Sequence, residues 1–386
     1  MNKYIAFLPI RGGSKGIIKK NIKYIAGKML FQWVLDEAIQ CDKIEKCIVS
    51  TDSDEIIEIV KKYYGNSNKV RVVKRSIEAA SDTATTEEAM LEYAYNNEFQ
   101  NIILIQATSP FTTKEDIFKA IDEFEKNNYD SLLTVAREKR FIWKNVRNKW
   151  VPMNYVPENR PRRQEFEGYY IENGALYITN RENLIKKKCR ISGNIGIYEM
   201  NETSCLEIDE MPDWFLAEHL LRKKISQDLK NIKLFITDID GVLTDGGMYI
   251  SENDDEIKKF NTRDGKGIEL LIENGIKVAF ITSENRKLNI KRAKKLRVNY
   301  LYQGVDNKVD VIEKIKKQLK VKDDEIAYIG DDLNDLEVLK KVGFSACPSD
   351  ANDKVKSIVK YVCKQKGGKG CVREVCDLII EDKHAN

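Results

Sequence analysis

The chain has 386 residues, of which 42% are hydrophobic and 33% are charged, and this length suits two globular domains better than one. Its 65 basic and 61 acidic residues leave a net charge of +4, which gives no electrostatic reason to expect binding to nucleic acid or to a membrane. No apolar run is long enough to span a bilayer, and the eight cysteines contain no CxxC pair, so we expect a cytoplasmic protein with reduced thiols.

Apolar segments alternate with helical patterns in both halves of the chain, which is typical of α/β domains with a mainly parallel sheet. In the first half the predicted strands are Tyr4–Ile10, Lys46–Ser50, Val70–Val73, Ile102–Gln106 and Ser131–Val135. The helices predicted among them are Phe31–Ala38, Asp54–Tyr63 and Lys114–Asn127. In the second half the predicted strands are Lys233–Asp238, Lys277–Thr282, Tyr300–Tyr302 and Glu325–Gly330.

The junction between these two series is marked by a change in pattern. An amphipathic helix predicted at Asp213–Leu221 is followed by Arg222–Asn231, a charged stretch without strand character. We therefore place the domain boundary at residue 228 and predict domains 1–228 and 229–386.

A glycine-rich loop, RGGSKG, directly follows the first predicted strand. Glycines at this place let backbone amides approach a phosphate, and Arg11 and Lys15 add positive charge. The loop matches neither the P-loop pattern that ends in GK[ST] nor the GxGxxG dinucleotide fingerprint. Nucleotidyl transfer is the favoured interpretation, although steric demands alone can also place glycines in such a turn.

Segments of the first half, in order, resemble the cytidylyltransferases that make CMP-activated nonulosonic acids such as sialic acid. They are LPIRGGSKGIIKKNIKYIAGK, STDSDEI, SDTAT, LIQATSPFTT and RRQEFEGYYIENGALYI. The resemblance implies a Rossmann-like nucleotidyltransferase domain of the glycosyltransferase-A-like kind. The CTP-binding residues that it implies are Arg11, Gly13, Ser14, Lys15, Lys20 and Asn21. The sugar-binding residues that it implies are Gln106, Thr108, Arg163 and Asn173.

The segment LEIDEMPD holds the metal position of this family, which usually carries two aspartates two residues apart. The matching residues here are Glu207 and Asp209. Magnesium prefers carboxylate and phosphate oxygens in octahedral geometry, so the longer glutamate is tolerable but shifts the ion, and Asp209 is the stronger candidate. The implied reaction is attack of the sugar's anomeric hydroxyl on the α-phosphate of CTP, with release of pyrophosphate.

The motif LFITDIDGVLT is the sharpest in the chain. An apolar strand carries Asp238 and Asp240 to its carboxyl end, and residues two apart lie on the same side of a strand. Such carboxylates repel each other unless a cation or a shared proton stabilises them, so the pattern indicates a metal site. Three downstream positions support this interpretation: Thr282 ends a strand, Lys308 follows a turn and Asp331 begins the segment DDLND.

These motifs resemble, in order, those of the haloacid dehalogenase phosphohydrolases. The segments DIDGVLTDG, FNTRDGKGI, YQGVDNK, GDDLNDL and GGKGCVREVCDLI are similar to small phosphatases of 3-deoxy-octulosonate 8-phosphate and its nine-carbon relatives. The resemblance implies a second doubly wound domain without a cap, with Mg²⁺ held by Asp238, the backbone carbonyl of Asp240, and Asp331. Asp238 would be the nucleophile, and Asp240 would protonate the leaving oxygen and then activate water. Thr282 and Lys308 would neutralise the phosphoryl oxygens.

The second motif of this domain departs from the octulosonate phosphatases, which commonly read TGR where this chain has Thr282-Ser283-Glu284-Asn285. Glu284 and Lys295 resemble the arrangement in nine-carbon sugar phosphatases, which favours a nonulosonate 9-phosphate; solvated helix charges are the alternative. The segment MYISENDDEIKKFN predicts a β-hairpin flap in place of a cap. Capless phosphatases of this kind resemble tetramers and the cytidylyltransferases are typically dimeric, so we predict a homotetramer.

The two halves together predict a bifunctional enzyme that hydrolyses a sugar 9-phosphate and then activates the free acidic sugar with CTP. One alternative is a cytidylyltransferase whose second domain serves only assembly, and another is a binding protein without catalysis. The motifs do not distinguish N-acetylneuraminate, its deaminated analogue KDN and the legionaminate-type sugars.

Overall fold

A computed structural model of the chain describes residues 4–81, 83–250, 252 and 256–381. The chain divides into two compact units, one of residues 1–24 and 29–217 and the other of residues 25–28 and 218–386. This division falls inside a helix that ends at Asp228, so the domain boundary at 228 stays a prediction. Among the described residues, no helix is long and apolar enough to cross a membrane.

The first unit is built around a seven-stranded sheet with strand order β11-β7-β10-β6-β1-β4-β5. The strands up to residue 217 are β1 Tyr4–Pro9, β2 Tyr24–Ile25, β3 Lys28–Met29, β4 Ile44–Thr51, β5 Val70–Lys74, β6 Asn101–Ile105, β7 Ser131–Glu138, β8 Trp143–Val146, β9 Lys149–Pro152, β10 Tyr169–Asn180 and β11 Ile195–Met200. The helices are α1 Leu30–Gln40, α2 Asp54–Tyr64, α3 Ile77–Ala80, α4 Thr86–Asn96, α5 Lys114–Lys126, α6 Arg181–Lys187 and α7 Met211–Asp228.

The central strand β1 is buried on both faces, as expected for a doubly wound sheet. Tyr4, Ala6 and Leu8 belong to one hydrophobic cluster, whereas Ile5 and Phe7 belong to another. Strand β1 pairs in parallel with β4 and β6, and β4 pairs in parallel with β5. The carboxyl ends of these strands therefore meet at one edge of the sheet, where α/β proteins commonly bind ligands.

Strand β10 runs antiparallel to β6 and β7, so the sheet is mixed. The sequence pattern did not predict this strand, because its first half is exposed and only its second half is buried. Its register also shifts between Glu172 and Tyr177, on either side of Gly174, which has a φ of +69°. An interrupted strand of this kind lacks the alternation of apolar and polar residues that marks a half-buried strand.

Helix α7 continues to Asp228, through most of the stretch that the sequence pattern marked as irregular. Ile225 packs against the hydrophobic core of the second unit, and Leu229 and Ile232 are buried in it. Charged residues surround these apolar positions, of which only Ile225 lies within the helix, so the sequence pattern did not show that the helix continues to Asp228.

The second unit contains a six-stranded sheet with order β16-β15-β12-β17-β18-β19, in which all neighbouring pairs are parallel. Its strands are β12 Leu234–Thr237, β13 Tyr249–Ile250, β14 Glu256–Ile257, β15 Lys277–Ile281, β16 Tyr300–Tyr302, β17 Ile326–Ile329, β18 Phe344–Cys347 and β19 Tyr361–Val362. Its helices are α8 Thr262–Glu273, α9 Lys287–Lys295, α10 Lys308–Leu319, α11 Leu336–Leu339, α12 Asp353–Lys356 and α13 Cys371–Ile380. The predicted α/β class is confirmed for both units.

The predicted flap is present as an antiparallel pair of β13 and β14. Residues 251 and 253–255, between these strands, lie outside the described part of the chain.

Candidate active sites

A cavity of about 520 Å³ lies at the carboxyl edge of the first sheet. Three of its lining residues lie at or just beyond strand ends: Arg75 directly follows β5, Gln106 directly follows β6, and Arg11 comes two residues after β1. The parallel arrangement thus brings polar groups from distant parts of the sequence to one place. The cavity is also lined by Ser14, Lys15, Gly16, Lys20, Asn21, Ser81, Thr108, Asp209 and Glu210.

The glycine-rich loop is held by a hydrogen bond and packs closely against the segment that contains Asp209. The backbone amide of Gly12 donates to Asp52 Oδ1 at 2.9 Å. A Cβ at Gly16 would stand 2.3 Å from the carbonyl oxygen of Asp209, so only glycine fits there. At Gly13, by contrast, a Cβ would meet nothing within 4 Å, and the chain itself does not require glycine there.

Lys20 connects this loop region to the segment that precedes α7. Its Nζ donates to the carbonyl oxygen of Ile208 at 2.6 Å and to Asp209 Oδ1 at 3.0 Å. The side chain of Asn21 donates to the carbonyl oxygen of Arg11 at 3.1 Å. Lys20 and Asn21 therefore shape the cavity through contacts with the chain as well as lining it.

The two proposed metal positions of the first unit lie in different surroundings. Asp209 lines the cavity, and its side chain is 66% exposed. Glu207 is outside the lining residues, and its Oε1 accepts a hydrogen bond from Thr108 Oγ1 at 3.1 Å. Asp209 is therefore the more accessible of the two carboxylates, although its Oδ1 pairs with Lys20, so a cation there would also need the phosphate oxygens of the nucleotide as ligands.

The four sugar-binding residues predicted from the sequence are not all brought together. Gln106 and Thr108 line the cavity, whereas Arg163 is exposed and is not among the residues that line it. Asn173 is buried, and its carboxamide accepts from Thr134 Oγ1 at 2.7 Å and donates to Ser204 Oγ at 2.8 Å. These contacts hold the side chain of Asn173 at the junction of β7 and β10, and its role in sugar binding stays a prediction.

Arg75 is a cavity residue that the sequence analysis missed. Its Nε is buried and has no hydrogen-bond partner among the described residues, and burial lowers the pKa of its guanidinium. An arginine placed directly after a strand of a parallel sheet was the available signal, but the neighbouring segment KRSIEAA matched no motif that we recognised.

The second site is a cluster of carboxylates around one lysine, at the carboxyl ends of β12 and β17. Oxygens of Asp238, Asp331 and Asp335 lie within 4.8 Å of one another. Lys308, at the start of α10, donates to Asp238 Oδ2 at 2.6 Å and to Asp335 Oδ1 at 2.7 Å. Lys308 and Asp335 are almost completely buried, so this ion pair lies in a region of low dielectric constant.

Asp335 connects the elements of the cluster through hydrogen bonds that its two carboxylate oxygens accept. Its Oδ1 also accepts from Tyr328 Oη at 2.5 Å, and its Oδ2 accepts from the backbone amides of Asp331 and Asp332. Both oxygens of Asp238 also accept hydrogen bonds, from the backbone amide of Ile239 and from Lys308, each at 2.6 Å, so a cation bound by Asp238 and Asp331 would share the oxygens of Asp238 with these donors. All their donor atoms are oxygens, which is the ligand type that Mg²⁺ prefers.

The electrostatics of the cluster fit a cation. Burial raises the pKa of Asp238 to about 7, and burial together with the neighbouring carboxylates raises the pKa of Asp331 to about 8. Two close, buried carboxylates favour protonation when no metal is bound. Gly241, with a φ of +77°, lets the carboxylate of Asp331 lie close to the loop after β12, because a Cβ there would lie 2.0 Å from Asp331 Oδ2.

The remaining predicted residues of this unit make contacts of different kinds. Thr282 is buried at the end of β15, and its Oγ1 accepts from the backbone amide of Glu284 at 3.2 Å. Asp240 points to Lys258, which follows β14, with Oδ1 2.8 Å from the ammonium nitrogen. Glu284 is paired with Arg286, whereas Lys295 is exposed at the end of α9 and makes no ion pair with Glu284 in the described structure.

Both parts of the chain resemble known protein families. The family model described as Cytidylyltransferase matches residues 5–232, and the model described as haloacid dehalogenase-like hydrolase matches residues 282–374. N-acylneuraminate cytidylyltransferase A of Danio rerio is 32% identical over 97% of this chain and 88% of that protein. The N-acylneuraminate cytidylyltransferase of Oncorhynchus mykiss is 34% identical, also over 97% of this chain and 88% of that protein.

The C-terminal half has a second set of relatives. The 3-deoxy-D-manno-octulosonate 8-phosphate phosphatase of Yersinia pestis is 43% identical over 40% of this chain and 83% of that protein. The chain therefore belongs to the cytidylyltransferase family and carries, in its C-terminal part, a haloacid dehalogenase-like hydrolase domain related to the octulosonate 8-phosphate phosphatases.

Proposed function

We propose that the chain is a bifunctional enzyme that hydrolyses a nonulosonate 9-phosphate and transfers CMP from CTP to the free acidic sugar. The observation that carries the phosphatase part of the proposal is the buried carboxylate cluster, in which Asp238 accepts a hydrogen bond from Lys308 and stands beside Asp331. A domain retained only for assembly has no need to keep buried carboxylates that repel one another.

In the transferase site, the anomeric oxygen of the sugar attacks the α-phosphorus of CTP, and the bond to the bridging oxygen of the β-phosphate breaks to release pyrophosphate. Arg11, Lys15 and Lys20 of the cavity neutralise the charge that develops on the phosphate oxygens. The sugar lies on the side of Gln106 and Thr108, so that its hydroxyl is aligned with the phosphorus. We assign no general base in this site.

In the phosphatase site, an oxygen of Asp238 bonds to phosphorus while the bond to the sugar oxygen breaks and that oxygen takes a proton from Asp240. Water then attacks the aspartyl phosphate, a proton returns to Asp240, and the release of phosphate restores Asp238. Lys308 and Thr282 contact the phosphoryl oxygens.

Magnesium fits both sites by their oxygen donors. It would be held by Asp209 in the transferase and by Asp238, Asp331 and the backbone carbonyl of Asp240 in the phosphatase, and it would supply charge neutralisation for the phosphate oxygens.

The assay that tests the function follows phosphate and pyrophosphate release from the purified protein with Mg²⁺. The panel contains free nonulosonates with and without CTP, the same sugars as 9-phosphates, and 3-deoxy-octulosonate 8-phosphate. N-acetylneuraminate, KDN and a legionaminate-type acid are each included. Phosphate released faster from the octulosonate 8-phosphate than from any 9-phosphate would contradict the substrate that we propose and favour that of the phosphatase relatives.

Exposed apolar side chains support a homotetramer. Trp150 of the hairpin β8–β9 is 68% exposed, and Ile250 of the flap is 70% exposed. Trp143 and Val146 on the same hairpin, and Tyr249 and Ile257 on the same flap, are exposed as well, and contiguous exposed apolar surface is typical of protein interfaces. Analytical ultracentrifugation measures the assembly directly, and a monomer at micromolar concentration would contradict this proposal.

Replacing Arg75 by methionine is expected to raise the KM for CTP by about tenfold or more, because Arg75 lines the cavity and its buried Nε, without a hydrogen-bond partner among the described residues, is placed to bind a phosphate oxygen. Pyrophosphate release at varied CTP concentration measures this change. Arg71→Met is the matched control, since Arg71 is an exposed arginine on β5. Equal CTP dependence of the two variants would remove Arg75 from the site.

Binding of Mg²⁺ to the phosphatase site is expected to release protons and to weaken as the pH falls from about 8 through 7. The sign follows from the pKa values of Asp331 and Asp238, which burial raises to about 8 and about 7, so that metal must displace protons at lower pH. Titration calorimetry in buffers of different ionisation enthalpy counts these protons. The Asp209→Asn background confines binding to this site, and binding without proton release at the lower pH would contradict the prediction.

A further inference from the structure

Lys258 is a buried lysine next to the proposed acid and base of the phosphatase. Its side chain is 0% exposed, and its Nζ lies 2.8 Å from Asp240 Oδ1 and 3.0 Å from Asp240 Oδ2. Burying an ammonium group is costly unless it is paired, so this contact defines the position of both side chains. The arrangement parallels that of Lys308 with Asp238, and each reacting carboxylate therefore has its own lysine.

The same lysine begins a line of alternating charges. Lys258 Nζ lies 3.4 Å from Glu256 Oε1, and Glu256 Oε2 lies 2.8 Å from Arg286 Nε. Arg286 Nε in turn lies 3.3 Å from Glu284 Oε2. The line runs from the reacting centre, through the second strand of the flap, to the loop after β15.

We propose that Lys258 is a positioning residue that holds the carboxyl group of Asp240 in place for proton transfer and makes this placement depend on the flap. The proposal rests on the phosphatase activity proposed above. Asp240 lies in a loop, and its side chain is 30% exposed, so its orientation needs a partner. Among the described residues, Lys258 supplies the hydrogen bond to its carboxylate, and the neighbouring Lys259 is exposed to solvent.

Two steps of the reaction depend on Asp240. When the bond between phosphorus and the sugar oxygen breaks, the oxygen takes the proton of Asp240; when water attacks the aspartyl phosphate, Asp240 takes a proton back. Nitrophenolate is a leaving group stable enough to depart from a nitrophenyl phosphate without that proton. A residue that acts through Asp240 therefore slows the first step for a sugar phosphate but spares the first step for nitrophenyl phosphate.

The test compares Lys258→Met with Lys259→Met in the full-length protein. We expect Lys258→Met to lower phosphate release from the sugar 9-phosphate by about 10²-fold, with the burst of nitrophenolate from nitrophenyl phosphate changed by less than about threefold. Lys259→Met should leave both rates unchanged. Lys258→Arg, which keeps a cation beside Asp240, should recover part of the lost rate.

Two further variants separate positioning from flap stability. Combining Lys258→Met with Asp240→Asn should give no slower hydrolysis than Asp240→Asn alone, because both changes remove the same function. Arg286→Met loosens the other attachment of Glu256, and because the placement of Asp240 depends on the flap, it should slow the sugar 9-phosphate more than nitrophenyl phosphate, by a smaller factor than Lys258→Met; equal slowing of both substrates would show that Arg286 affects only the stability of the flap.

The outcomes are distinct. If the wild type releases no phosphate from any sugar phosphate, the proposed phosphatase function fails. If the wild type is active but Lys258→Met slows both substrates equally, or neither, the positioning role is overturned while the function stands. The transferase activity and the unfolding temperature of each variant show whether the protein is folded. If Lys258→Met is not folded, Lys258→Arg provides the decisive comparison.

Discussion

Replacing Asp238 by asparagine is expected to reduce phosphate release from the sugar 9-phosphate by about 10⁴-fold or more, because the amide can neither attack phosphorus nor form the aspartyl phosphate. CTP-dependent pyrophosphate release should remain at the wild-type rate, since Asp238 lies in the second unit and the transferase cavity is lined by the first. Parallel assays of both products in a single preparation measure the two effects.

The Asp238→Asn variant also tests whether the protein stays folded. The carboxamide that replaces the carboxylate keeps an oxygen for the hydrogen bond from Lys308, so the cluster retains one of its buried contacts. Phosphate release that survives the substitution would show that the activity comes from another site or from a contaminating phosphatase. Loss of both activities together would mean that the variant disturbs the fold or that the two sites are coupled.

The parts of the fold that carry continuous apolar strands could be predicted from the sequence. Strands β1, β12 and β17 are buried along most of their length, and the catalytic candidates lie directly after them. Parallel sheets require such strands to be apolar on both faces, which makes them conspicuous. Strand β10 was missed because its two halves differ in burial, and the end of α7 was missed because charged residues surround its apolar positions.

The candidate sites show the same dependence on local pattern. Asp238 and Asp331 each follow a strand within a recognisable motif, so their meeting was predictable. Lys258 and Arg75 stand among other basic residues, and nothing in their own neighbourhood distinguishes them from solvated charges. Their burial arises from tertiary packing, by the flap in one case and by the edge of the sheet in the other. Asn173 shows the opposite case: it stands in a recognisable motif, but the sequence gives no sign that its carboxamide is hydrogen-bonded within the protein.

Replacing Lys20 by methionine is expected to reduce CTP-dependent pyrophosphate release by about 10²- to 10³-fold, the cost of removing one preorganised donor from developing charge. Lys20 lies in the cavity, and its side chain is only 13% exposed, so solvent screens its charge weakly. The substitution also leaves Asp209 without its ion-pair partner. Initial rates at saturating and limiting CTP separate the effect on kcat from that on KM.

Lys19→Met is the matched control for this substitution. Lys19 is the preceding residue, its side chain is 58% exposed, and it pairs with Glu55 at 2.7 Å rather than with a group in the cavity. A surface pair of this kind contributes about 1 kcal/mol or less to stability, so the variant should transfer CMP at the wild-type rate. Phosphate release from the sugar 9-phosphate should be unchanged in both variants. Lys20→Met is thus expected to lose the transferase and keep the phosphatase, whereas Asp238→Asn is expected to lose the phosphatase and keep the transferase. If Lys20→Met and Lys19→Met behave alike, Lys20 does not act on the nucleotide, and its contact with Asp209 is structural.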